Sequence, residues 1–210
     1  FGSCMFKKRN AQGYYAIMSL AAQFVQTKGT SQGIFFNTDD MTPMVNNEAW
    51  AKAFEAIKAT TEFGPPDELN HDIGDTRALV LAGRCAMALD WGDIGPLSID
   101  ETSSKIKDKV GAVIMPGTTR VLDWETGKLV DCSAEVCPYA IDGVNHAPFA
   151  AFGGWTGVIN ASADPKVIEA AYAFLSYMNQ PEQSNIDVTI GWTGYNPYRI
   201  SRAGVEWEVP

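Results

Sequence analysis

Apolar residues recur along this chain at two spacings, every three to four positions or every second one, and the switches between them delimit its elements. Tyr14, Tyr15, Met18, Ala21, Ala22 and Val25 fall at helical spacing within residues 12–28, and Gly29 is placed to end that helix. Gly33-Ile34-Phe35-Phe36 is a short strand-like run that enters a polar turn, where Asp39 and Asp40 read as exposed turn acids. Asn47 suits the N-cap of a helix from Glu48 to about Thr61, with Trp50, Ala53, Phe54 and Ile57 as its buried stripe. Phe63-Gly64-Pro65-Pro66-Asp67 breaks the chain.

A second helix is expected from Asp75 or Thr76 to Ala82, with Gly83 just past its end, followed by a strand over 85–89. Another strand is expected at 110–115. Residues 120–124 and 128–132 flank Glu125-Thr126-Gly127, the pattern of a β-hairpin with glycine in the left-handed position and Trp124 covering its base. Ser162 or Asp164 is placed to cap a helix that begins at Pro165 and buries Val167, Ala170, Ala171, Phe174 and Met178. Pro181-Glu182-Gln183 opens another helix.

Composition narrows the classes. A chain of 210 residues can bury a real core, and its 46% hydrophobic content is ordinary. No run of about 18 apolar residues is present to cross a bilayer as a helix. The chain starts abruptly at Phe1-Gly2-Ser3-Cys4, so processing or truncation is expected to have removed whatever preceded it. With 25 acidic against 16 basic residues the net charge is −9, which disfavours nucleic acid as a partner.

Cys132 and Cys137 flank a loop short enough to be closed by a disulfide in an oxidising compartment, while Cys4 and Cys85 form either a second bridge or two buried thiols. No metal site is expected, because the cysteine spacing is not that of zinc ligands and His71 and His146 are scattered. Asn160-Ala161-Ser162 has the glycosylation-acceptor pattern, a triplet common by chance.

The most informative stretch is Gly83-Arg84-Cys85-Ala86-Met87-Ala88-Leu89-Asp90-Trp91-Gly92-Asp93. A helix end, a short apolar run and then a Trp among polar and glycine neighbours is how a strand delivers a ring to the edge of a sheet, where open α/β folds keep ligands. Sugar sites use such rings, because a C–H face packs on the aromatic face while carboxylates hold the hydroxyls. Gly153-Gly154-Trp155 is a second such stretch, with backbone N–H groups exposed beside a stacking face. Trp192 and Tyr195, set between glycines, are third-rank candidates.

These pieces resemble the sugar-binding extracellular solute-binding proteins of ABC importers, the family typified by maltose-binding protein. The resemblance is carried by the "small-Gly-Lys/Arg-x-Ala-Met-x-x-x-x-Trp" pattern at 82–91, the returning strand Val110–Gly117, the loop and strand Gly153–Asn160, and the helix opening at 161–165. Residues 191–201 are similar to the family's return loop. The resemblance implies an α/β fold of the type II periplasmic-binding class, one or both lobes of a Venus-flytrap, here incomplete because family members usually run much longer. It also implies a division of the chain: residues 1–112 mainly one lobe, 113–190 the hinge-return strand, hairpin and helices of the other, and 191–210 the return loop. Solute would lie between lobes and favour their closed state. Trp91 and Trp155 would stack on it, Asp93 or Asp90 would accept from its hydroxyls, and the Gly153–Gly154 backbone would donate. No cofactor is implied.

The partners implied are a small polar solute, above all a carbohydrate, and an ABC permease on the extracellular, periplasmic or lumenal side of a membrane. A ligand-sensing ectodomain linked to a signalling domain shares this fold, and so does an interaction module that has lost its ligand. A fragment exposing such a cleft wall would be expected to self-associate. Enzyme chemistry finds little support. Cys85 lies in an apolar run without a nucleophile's context, and Asp90 and Asp93 sit three residues apart at a strand end, which does not assure the separation glycoside hydrolysis needs. No nucleotide-binding glycine motif is present.

Overall fold

The computed structural model describes residues 1–29, 31–146 and 156–188. In chain order the elements are β1 (Ser3–Cys4), α1 (Gly13–Val25), α2 (Glu48–Ala59), α3 (Ile73–Leu81), β2 (Met87–Ala88), α4 (Ile94–Ile99), β3 (Arg120–Leu122), β4 (Leu129–Asp131), α5 (Pro165–Met178) and α6 (Pro181–Asp187), with short 3-10 turns at Thr60–Glu62 and Glu68–Asn70. The chain divides into two units, Phe1–Leu89 with Gly111–Gly153, and Asp90–Val110 with Gly154–Pro210.

The first unit is built on α1 and α2. Ala21, Ala22 and Val25 of α1 face Ala49, Trp50 and Ala53 of α2, and the small side chains let the two backbones approach closely. Asn47 caps α2 as expected, its Oδ1 accepting from the Trp50 N–H at 3.1 Å. Trp50 is core, and its buried indole N–H is satisfied by the Ile34 carbonyl at 3.1 Å. The stripe expected on α2 is narrower than the spacing suggested, because Phe54 is exposed and touches the core only through its ring contact with Trp50.

The hairpin forms between β3 and β4 in antiparallel register, Val121 opposite Val130, with Gly127 at φ +68°. It belongs to the first unit. Leu122 and Leu129 enter the α1–α2 core, the Trp124 indole donates to the Val25 carbonyl at 3.2 Å, and Glu48 accepts from Lys128 Nζ at 2.8 Å and the Leu129 N–H at 2.9 Å. Asn145 closes the same layer, its Nδ2 donating to the Gln23 and Gln26 carbonyls that α1 leaves open at its C-terminus.

Strand content is lower than the apolar runs suggest. Of the expected strand at 85–89 only Met87–Ala88 pairs, in parallel with Ser3–Cys4, since β1 offers a ladder of only two residues. The run at 33–36 forms a single bridge, Phe36 to Pro43. Residues 110–115 form no strand; without a ladder partner their apolar side chains stay in solvent, with Val113 94% exposed.

β1 is anchored twice. The Cys4–Cys85 disulfide ties it to β2, and the fully buried Glu68 carboxylate accepts from the Met5 N–H at 2.7 Å and from the buried Lys7 ammonium at 2.5 Å. Gly64 has to be glycine here, because a Cβ would stand 2.6 Å from that carboxylate. α3 starts two or three residues earlier than expected, at a capping box between Asp72 and Asp75. It ends where expected: Gly83 at φ +71° donates to Val80 and Arg84 donates to Leu79, a Schellman closure.

In the second unit, Asp164 caps α5 through Lys166 N at 2.9 Å, and Pro165 occupies its first turn. The inward face keeps the expected Ala171 and Met178 but takes Ile168 and Leu175 in place of Val167 and Phe174. Ile168, Ala171, Leu175 and Met178 are half-buried, with Leu175 packed over Gly157, while Val167 and Phe174 are 57% and 62% exposed. α6 opens at Pro181 and buries Ser184 and Asp187.

Candidate functional site

The stretch singled out from the sequence is delivered by three successive locks. The Schellman end of α3 turns the chain, Cys85 is bridged to Cys4, and β2 pairs with β1 before the chain leaves the first unit at Leu89. Asp90 begins the second unit. Of the two alternatives for Cys4 and Cys85, the bridge is the one formed.

Asp90 turns its carboxylate back on the chain, Oδ1 accepting from the Trp91 N–H at 2.6 Å, which fixes the peptide carrying the indole. The Trp91 carbonyl then accepts from Ile94 N at 3.1 Å and the Gly92 carbonyl from Gly95 N at 3.1 Å, so the turn runs straight into α4. Trp91 and Asp90 are half-buried, and Asp93 is only 7% exposed. The Asp93 backbone is helical and its carbonyl accepts from Leu97 N at 3.4 Å, but its side chain does not cap α4. Leu97 and Ser98 bury the inner face of α4, and Ser98 Oγ donates to the Gly95 carbonyl at 2.7 Å.

The arrangement is a partly accessible ring bracketed within three residues by two carboxylates. Carboxylates accept hydrogen bonds and donate none when ionised, and an indole face packs against C–H groups. Among the described residues no group of three or more histidine, cysteine, aspartate or glutamate side chains is arranged to hold a metal ion. Gly153, Gly154, Trp155, Trp192 and Tyr195 lie outside the described residues, so of the eight ligand candidates the structure describes Asp90, Trp91 and Asp93, which are near neighbours in sequence. Cys132 and Cys137 are joined, closing a loop beside a small cavity of about 250 Å³ that is lined by Ser133, Ala134 and Pro138 and has no charged group.

Residues 9–185 match the bacterial extracellular solute-binding protein family, and the chain belongs to that family. Its fold is that of the periplasmic binding proteins, as two solved structures show. One is an ABC transporter solute-binding protein from Agrobacterium radiobacter K84 in complex with ribitol, with a TM-score of 0.66 and 20% identity over 93% of this chain. The other is an ABC transporter solute-binding protein from Agrobacterium vitis S4 with bound D-mannitol, with a TM-score of 0.58 and 18% identity over 96% of this chain. The chain spans 41% of the length of each. A search of curated proteins gave no match. No helix among the described residues is long and apolar enough to cross a membrane.

Proposed function

We propose that this chain supplies part of the binding site for a small polyhydroxylated solute, an acyclic polyol or a carbohydrate, in an extracellular solute-binding protein that serves an ABC importer. The observation that carries the reading is the half-buried Trp91, its backbone N–H bonded to Asp90 and with Asp93 two residues on, in a chain whose family membership covers 9–185. A polyol carries a hydroxyl on every carbon, so its binding is a matter of acceptors. A carboxylate can take two neighbouring hydroxyls at once, and these charge-assisted bonds are the stronger kind. Asp93 is the more buried of the two. Trp91 covers the C–H side, where an alkyl chain of alternating C–H bonds gains dispersion contact. The bound ribitol and D-mannitol of the two similar structures support the same class. Gly153, Gly154 and Trp155, then Trp192 and Tyr195, are the further residues this reading assigns to the solute. Binding, not bond cleavage, is the function.

The test is a titration of intrinsic Trp fluorescence and of melting temperature with ribitol, D-mannitol, monosaccharides and amino acids, on this chain and on the full-length gene product. A polyol or sugar that changes Trp emission and raises the melting temperature supports the proposal if Trp91→Ala removes both effects and Asp93→Asn weakens binding about tenfold or more. Silence from both proteins, or a response that survives Trp91→Ala, overturns it.

A further inference from the structure

The chain from Cys132 to Asn145 leaves and returns at the same place. The Cys132 N–H donates to the Thr119 carbonyl at 2.8 Å, and Asn145 exchanges two backbone hydrogen bonds with Thr118, at 2.8 and 3.0 Å. The stretch is therefore an Ω-loop on a Thr118–Thr119 stem. Inside it a turn closed by the Cys137 N–H on the Ser133 carbonyl, at 2.7 Å, carries the Cys132–Cys137 bridge, and a tight turn from Ile141 to Val144 leads back to the stem. The stem has anchors besides the bridge. Asn145 donates to the Gln23 and Gln26 carbonyls, and β3 is already paired with β4.

Access to the two sulfurs is uneven. Cys137 is 2% exposed and Cys132 is half-buried, and both line the 250 Å³ cavity with Ser133, Ala134 and Pro138. A thiolate needs open space beside the sulfur it attacks, which makes Cys132 the attacked residue and Cys137 the leaving group. Neither Cys4 nor Cys85 lines this cavity, and their bridge ties β1 to the run entering β2. Charge then sorts the attackers. Residues 131–143 hold three exposed acids, Asp131, Glu135 and Asp142, and no lysine or arginine; Arg120 offsets only Asp131, at 3.6 Å. Opening this bridge also leaves the fold standing, because a cross-link over 5 residues restrains the unfolded chain far less than one over 81.

We propose that the Cys132–Cys137 bridge is a reversible thiolation site for small thiols, cationic ones above all, and that its opening frees the 133–143 loop from an intact first unit. A thiolate R–S⁻ bonds to Cys132 Sγ as the S–S bond breaks, and the electron pair leaves on Cys137 Sγ, which takes a proton from water. Return attack by the Cys137 thiolate expels R–S⁻ and restores the bridge. A second thiol instead removes R as R–S–S–R and leaves both cysteines reduced.

The test treats the folded full-length gene product with cysteamine, 2-mercaptoethanol or 2-mercaptoethanesulfonate, quenches with acid and maps the products by peptide mass spectrometry, with rates compared per thiolate. An adduct on Cys132 and a free thiol on Cys137 are expected, formed at least about tenfold faster than Cys4–Cys85 opens. Cysteamine should react fastest and the sulfonate slowest at low salt, an order that collapses at about 1 M salt. Amide hydrogen exchange should rise in 133–143 alone, and Cys132→Ser/Cys137→Ser should show the same rise without thiol. Absence of opening up to about 10 mM thiol overturns the proposal, as do earlier opening of Cys4–Cys85, an adduct on Cys137, equal rates for the three thiols, or exchange that rises throughout the first unit.

Discussion

Removing the Cys4–Cys85 bridge should destabilise this chain about twice as much as removing Cys132–Cys137. A cross-link restricts the unfolded chain in proportion to the logarithm of the loop it closes. Cys4 and Cys85 are 81 residues apart, for which the chain-entropy relation yields about 15 cal/mol/K, or about 4.5 kcal/mol at 25 °C. Cys132 and Cys137 are 5 apart, which yields about 7 cal/mol/K, or about 2 kcal/mol. Against a total stability of about 5–15 kcal/mol the first loss is large and the second tolerable. Cys4 and Cys137 are both fully buried and Cys85 and Cys132 both half-buried, so the packing lost is similar for the two pairs and the difference rests on loop length. The assay is urea unfolding of Cys4→Ala/Cys85→Ala and Cys132→Ala/Cys137→Ala, with equal m-values required before midpoints are compared. Equal losses, or a larger loss at the short loop, would refute the reasoning and show that these bridges act through native-state contacts instead of unfolded-chain entropy.

Two further outcomes follow from the buried and surface ion pairs of the first unit. Glu68→Ala leaves the Lys7 ammonium buried without its partner and should cost about 3–5 kcal/mol in urea unfolding, whereas replacing both residues by Leu or Met should restore most of it; a harmless Glu68→Ala would mean the pair is solvated in solution. Glu48 is held below its ordinary value of 4.5, first by the hydrogen bond from Lys128 and then by that from the Leu129 N–H. A lowered native pKa means the unfolded state binds the proton more readily, so this contribution is present above pH 4.5 and is lost as pH falls through the lower native value. Glu48→Gln should therefore flatten the acid limb of a stability–pH curve below pH 4.5, and an unchanged limb would remove Glu48 from the account.

The features legible in the sequence are those decided within a few residues. Asn47, Asp164 with Pro165, Gly83 and Gly127 each announce a cap or turn, and the structure places a helix start, a helix end or a hairpin at each, because capping hydrogen bonds and left-handed backbone are local chemistry. Trp50 was legible as core from its place on a periodic face, and the Asp90–Trp91–Asp93 stretch as a site candidate from the helix end and apolar run that lead into it. What tertiary structure decided depends on partners far away in sequence. An apolar run becomes a strand only where a ladder waits, so Met87–Ala88 pairs and Val113 lies in solvent. The amphipathic period of α5 did not separate Leu175 from Phe174 as an inward residue until Leu175 met Gly157. The pairing of Cys4 with Cys85 and the burial of Glu68 against Lys7 leave no trace in any short window, because each is a contact between segments that only the packed chain brings together.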